Sequence, residues 1–128
     1  MKTFSHSNPH IADVHEPDFA RSVLRESGRR PVLVDFWADW CSPCHALAPH
    51  LYRVIEELRG SVLLAKVEVD EGENMRLAGH YRLRGFPTVL LFHRGEEVGR
   101  FSGARSTPWI REWLDEHVGE SLPENWMH

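Results

Sequence analysis

Val32-Leu33-Val34-Asp35-Phe36-Trp37 is an almost unbroken apolar run, and Trp40-Cys41-Ser42-Pro43-Cys44 follows it closely. Such a run reads as a strand covered on both faces, which calls for a sheet with helices packed against it on each side. A helical pattern then starts at the cysteines, so two thiols stand where a buried strand passes into a helix. They are the only cysteines in the chain. Their possible partners are each other, a metal, or the sulfur of another molecule. In a reducing compartment C-x-x-C spacing is catalytic or metal-binding more often than structural, and a bridge closing so small a loop restricts the unfolded chain little.

At 128 residues the chain has the length of one domain, enough to bury roughly two-thirds of the surface its unfolded form exposes. Its 41% hydrophobic and 27% charged residues place it among ordinary globular chains. A net charge of -4 leaves no basic footprint for nucleic acid. His10, His45, His50, His80 and His93 make that balance pH-sensitive. Met1 to His10 lack the apolar stretch of a secretory signal, and no segment has the 18 or so apolar residues that span a bilayer. A cytoplasmic protein without membrane or nucleic-acid partners is expected.

The chain shows no repeat and no internal linker. Residues 1–10 are expected to be a flexible segment, residues 11–118 the domain, and residues 119–128 a frayed tail. Ile11 to Val14 suit a short edge strand. Asp18 can cap a helix running through Ser27, with Phe19, Val23 and Leu24 inward and Gly28 ending it. The helix from the cysteines runs to Arg59. Val62 to Val69 reads as a second strand, parallel to the first, and Asn74 to His80 as a short helix. Thr88 to Phe92 and Val98 to Phe101 form an antiparallel hairpin across Arg94-Gly95-Glu96-Glu97. Thr107-Pro108 opens a last helix whose inward stripe is Ile110, Leu114 and Val118. The fold class is α/β, a single mixed sheet flanked by helices on both faces.

A helix that begins at Cys41 points unsatisfied N–H groups and the positive end of its dipole at that sulfur, favouring thiolate over thiol. Cys41 is then the exposed nucleophile, and Cys44, one turn deeper, resolves the mixed disulfide. Pro43 stiffens the turn where a missing N–H is harmless.

Asp35-Phe36-Trp37-Ala38-Asp39-Trp40-Cys41-Ser42-Pro43-Cys44, then Pro49, then Gly85-Phe86-Pro87-Thr88, together resemble the thioredoxin family over about residues 11 to 118. The resemblance implies a thioredoxin fold, a redox-active Cys41–Cys44 disulfide, and reduction of protein disulfides. It implies no bound cofactor, electrons reaching the disulfide from NADPH through a thioredoxin reductase, and a monomer. It makes Pro87 a cis proline beside the disulfide. It also assigns Trp40, Pro43, Phe86, Pro87, Gly103 and Ala104 to the surface that receives an extended substrate segment.

Asp35 carries a physical argument of its own. A carboxylate inside an apolar strand is costly to bury ionised, so its pKa should rise and it becomes a base for Cys44. Lys66, within Leu63-Leu64-Ala65-Lys66-Val67, matches the family position of a nearby cation, and the two form a coupled pair. The chain departs from the usual family motif at Ser42, where glycine is common, and at His45, where lysine is usual. Both bear on the redox potential.

Plainer readings exist. The cysteines could be half of a zinc site completed by His45 or His50, but four ligands are needed and no second pair is evident; no metal is expected. Asp35 could be an exposed strand-end carboxylate, and Lys66 could reach solvent. Trp37, Trp109 and Trp113 read as packing residues, and Pro49 as a helix kink. Two other functions share the motifs: an oxidant or isomerase on the same fold, and a client-binding module of the kind that precedes helical repeats. No repeats follow in this sequence, and a pure binding module has no need of C-x-P-C.

Overall fold

The computed structural model describes residues 7–127. Its strands are β1 (Ile11–Asp13), β2 (Val32–Trp37), β3 (Leu63–Glu68), β4 (Thr88–His93) and β5 (Glu96–Ser102), and its α-helices α1 (Ser42–Leu58), α2 (Asn74–His80) and α3 (Thr107–Val118). The strands make one sheet in the order β1-β3-β2-β4-β5. β3 runs parallel to β1 and β2, whereas β4 is antiparallel to β2 and β5. This is the mixed, helix-flanked sheet of a thioredoxin fold.

β2 is central because both its faces are apolar. Leu33 joins α1 and α3 residues such as Leu51, Ile55, Ile110 and Leu114 in one core, while Val32, Val34 and Phe36 join Phe19, Val23 and Phe92 in the other. The alternation of β2 side chains distributes them between the layers. α1 buries Cys44, Leu47, Leu51, Val54, Ile55 and Leu58, the three-and-four spacing of one helix face. It stops where Arg59 (φ 49°) and Gly60 (φ 95°) turn left-handed. A Cβ on Gly60 would lie 2.8 Å from His10 Nε2, so glycine suits this close approach for two reasons.

Three expectations need correction. The segment before β2 is not one α-helix capped by Asp18. It is a 3-10 turn (Glu16–Asp18), a π-helical stretch (Ala20–Arg25) and a second 3-10 turn (Glu26–Gly28), and Asp18 pairs instead with Arg21 at 3.1 Å. Phe19, Val23 and Ser27 are all buried here, so packing on the sheet sets the winding rather than local propensity.

The hairpin turn is shorter than expected. Arg94 (φ 57°) and Gly95 (φ 82°) make a two-residue connection, which lets β5 begin at Glu96. Ser27 anchors it: the Ser27 carbonyl accepts from Arg94 N–H at 2.8 Å, and Ser27 Oγ accepts from Gly95 N–H at 2.9 Å while donating to Leu24 O at 2.7 Å.

The chain beyond Val118 is docked rather than frayed. Leu122 is buried in the α1/α3 core and Trp126 packs against it, because these apolar side chains find the end of α1 within reach. The flexible segment expected over residues 1–10 lies, for residues 1–6, outside the described residues; beyond them, His10 N–H donates to Asn8 Oδ1 at 2.8 Å.

α3 begins at Thr107 with Ser106 as its cap, Ser106 Oγ accepting from Trp109 N–H at 3.3 Å. No helix among the described residues is long and apolar enough to cross a membrane.

Candidate active site

β2 delivers the chain to the site and α1 carries it away. Cys41 has extended geometry (φ -97°, ψ 103°) and is the N-cap of α1, its sulfur accepting from Cys44 N–H at 3.3 Å. A disulfide joins Cys41 to Cys44 across a Cα separation of 5.3 Å. Pro43 lies in the first turn of α1, where a proline leaves no hydrogen bond unmade. Pro49 lies inside the helix.

In the oxidised state Cys41 is not the exposed residue the sequence suggests. It is 5% exposed and Cys44 2%. Neighbours wall it in: its sulfur sits 3.4 Å from the carbonyl oxygen of Phe86, and the Trp40 and Phe86 rings meet edge to face at 6.3 Å. Trp40 itself is 67% exposed, the most open of the large apolar side chains among the described residues. Its indole N–H donates to Asp70 Oδ2 at 2.8 Å, fixing the ring over the site.

The Phe86–Pro87 peptide bond is cis. Pro87 is buried, Phe86 half-buried, and the Pro87 carbonyl accepts from Gly103 N–H at 3.0 Å. Gly103 takes φ 83°, and Ala104 after it is exposed. Phe86 thus touches Cys41 and Trp40, and Gly103 is held to Pro87, the residue after Phe86, while Ala104 and Pro43 are exposed.

Asp35 and Lys66 are adjacent partners across the β2/β3 register. Asp35 is 1% exposed, and neither carboxylate oxygen has a hydrogen-bond partner. Burial raises its pKa to about 6 despite the opposing pull of the Lys66 charge. The strand-end reading of Asp35 is thereby excluded. Lys66 is also buried and does not reach solvent. Its ammonium donates to Tyr52 Oη at 2.7 Å and lies 4.6 Å from the centre of the Trp37 ring. The pair is therefore coupled through space, with the lysine's bond going to Tyr52.

Tyr52 and Asp70 were not singled out in the sequence. Tyr52 stands at i+8 from Cys44, two helical steps of four, so it falls on the same side of α1; that spacing was the available signal. Asp70 follows β3 in a polar run that gives no hint of its bond to Trp40. Glu68, at the end of β3, has its pKa raised by burial first and then by Glu71, Asp39, Asp70 and Asp13, so carboxylates crowd this corner. His45 Nε2 is bonded to the Asp39 carbonyl at 2.7 Å, and its ring meets Trp37 edge to face at 6.0 Å. His50 instead serves α3, its Nδ1 accepting from Thr107 N–H at 3.1 Å. Among the described residues no group of three His, Cys, Asp or Glu side chains is placed to hold a metal.

The family model described as Thioredoxin matches residues 10–116. A thioredoxin of Chlorobaculum thiosulfatiphilum is 40% identical over 90 residues, covering 70% of this chain and 82% of that protein. A thioredoxin of Pseudomonas aeruginosa is 37% identical over 109 residues, 85% of this chain and 97% of its own. One from Rickettsia felis is 34% identical over 106 residues, 83% and 97% respectively.

Proposed function

Because the chain belongs to the thioredoxin family and carries a proximal dithiol pair, which together support thiol-disulfide oxidoreductase activity, we propose that it reduces disulfides of protein substrates. The observation that carries this reading is the Cys41–Cys44 pair capping α1 beside Phe86–Pro87. After reduction, the Cys41 thiolate is favoured by the Cys44 N–H and the N-terminal end of α1.

Cys41 attacks one sulfur of the substrate disulfide. That S–S bond breaks, a mixed disulfide forms, and the other substrate sulfur leaves as thiolate and takes up a proton. Cys44, giving its proton to a base, attacks Cys41 Sγ and releases the second substrate thiolate. The substrate gains two electrons and the Cys41–Cys44 pair loses two. Asp35 is the base in this reading; a pKa of about 6 lets it exchange a proton near neutrality. Because no hydrogen bond reaches its oxygens, the proton travels through an intermediary. Lys66 tunes Asp35 by its charge and is a positioning residue. Trp40, Pro43, Phe86, Pro87, Gly103 and Ala104 receive the substrate segment. An NADPH-dependent thioredoxin reductase re-reduces the pair, and such recycling fits a reducing compartment, the cytoplasm.

The test is turnover of a disulfide-bonded protein with dithiothreitol as electron source. Cys41→Ser should abolish it, whereas Cys44→Ser should accumulate a covalent mixed disulfide through Cys41. Failure of Cys44→Ser to trap substrate would remove Cys41 as nucleophile. The potential of the pair separates reductase from oxidant or isomerase: about -270 mV supports the first, and a value above about -200 mV the second.

A further inference from the structure

The loops at the active-site end of the sheet divide by charge. β3 and β2 end at this pole, β4 begins here and β5 ends here, and the sheet order sets their loops side by side in the sequence β3-β2-β4-β5. After β3 come Asp70 and Glu71, and after β2 comes Asp39, all exposed. Just before β4 stands Arg84 and just after β5 stands Arg105, both exposed. Walking across the pole from β3 to β5 therefore passes from carboxylates, over Trp40 and the thiols, to guanidiniums.

The negative side is a single field, since Asp39, Asp70 and Glu71 all act on Glu68. On the positive side no carboxylate among the described residues pairs with Arg84 or Arg105. Arg105 is nevertheless held. Its guanidinium lies over the Trp109 ring at 4.5 Å from the centroid, so the charge is parked two residues beyond Gly103, whose N–H binds the Pro87 carbonyl. A guanidinium stacked on a ring keeps its edge N–H groups free to meet a carboxylate.

We infer that Arg105, supported by Arg84, selects substrate segments that carry a carboxylate side chain on the flank of the reactive cysteine lying over the β4/β5 side. The inference rests on the protein-disulfide reductase reading above. The opposite flank, over Asp39, Asp70 and Glu71, repels acidic residues and favours neutral or basic ones. Arg105 does not touch the reacting sulfurs; it decides which segment settles on the apolar border beside them.

The experiment is a set of disulfide-linked model peptides identical except for Ala, Glu or Lys at single positions on either side of the cysteine, reduced with dithiothreitol as recycling donor. The readout is kcat/KM for each peptide at low salt and at high salt. At one flank the order Glu, Ala, Lys is expected, spanning about three- to tenfold at low salt and shrinking toward unity when salt screens the charges. Arg105→Glu should invert that order, and Arg105→Lys should retain most of it. A purely structural role for the Arg105–Trp109 stack would change all peptides equally and leave the order intact, overturning the inference. Equal rates for all charges in the native protein would overturn it as well, while leaving the reductase reading standing. If no peptide were reduced, the reductase reading itself would fail.

Discussion

Replacing Asp35 by Asn should stabilise the protein at neutral pH and do so less and less as pH falls. In the native state Asp35 is 1% exposed with no hydrogen-bond partner, and its pKa stands at about 6 against an ordinary 3.8. Below about pH 4 both folded and unfolded chains hold this proton, and the group carries no penalty. Between about pH 4 and pH 6 the folded state keeps the proton while the unfolded state loses it, so stability falls as pH rises. Above pH 6 the carboxylate is ionised in both states and the full penalty stays. The rise from 3.8 to about 6, at about 1.4 kcal/mol per tenfold change in proton affinity, makes it about 3 kcal/mol. For a chain of this length that is on the order of 10 °C in Tm. Urea titrations of both proteins in the oxidised state, followed by tryptophan fluorescence from pH 3.5 to 8, measure it. Asparagine adds a constant offset of its own, so the pH-dependent part of the difference is the quantity of interest. A difference that stayed flat across the range, or grew toward acid, would refute the argument that desolvation dominates this carboxylate.

Lys66→Met removes the charge that opposes that desolvation. The midpoint of the Asp35 transition, read by carboxyl NMR, should then move above about 6; an unmoved midpoint would show that the lysine charge does not reach Asp35. Ser27→Ala deletes the hydroxyl that accepts from Gly95 N–H and donates to the Leu24 carbonyl in a fully buried position. It should cost about 1–3 kcal/mol in urea unfolding, because those two backbone groups lose their partner; a change below about 0.5 kcal/mol would mean that the turn holds through Arg94 N–H alone.

The sheet and its helices were legible because burial left period and length in the sequence. The nearly continuous apolar β2, the three-and-four stripe of α1 and the Ile110, Leu114, Val118 stripe of α3 each read directly as elements. The segment from Glu16 to Gly28 did not, since its winding answers to where Phe19, Val23 and Ser27 must sit on the sheet, a tertiary demand with no local signature. The docking of Leu122 and Trp126 was hidden for the same reason: two apolar side chains spaced four apart in a largely polar stretch give no sign of the core they reach. Around the candidate site, the pairing of Cys41 with Cys44 and the burial of Asp35 were legible from residue type and neighbours. Tyr52 and Asp70 were not, because each acts on a residue far along the chain, Lys66 and Trp40.

The burial of the disulfide shifts where selectivity must reside. Cys41 is 5% exposed and its sulfur lies against the Phe86 carbonyl, so little of it is open to a partner. On the proposed reading, a partner's approach brings an extended segment along Trp40, Phe86 and Gly103. Attack by one thiolate on another molecule's disulfide has little intrinsic preference for sequence, so discrimination falls to whatever the flanking residues meet on the way in. In the reading proposed above they meet Asp39, Asp70 and Glu71 on one side and Arg84 and Arg105 on the other. Exposed charges of this kind act chiefly on encounter, and their effect fades with ionic strength. Selectivity among substrates should therefore appear in kcat/KM at low salt and converge at high salt, where the apolar border alone is left to choose.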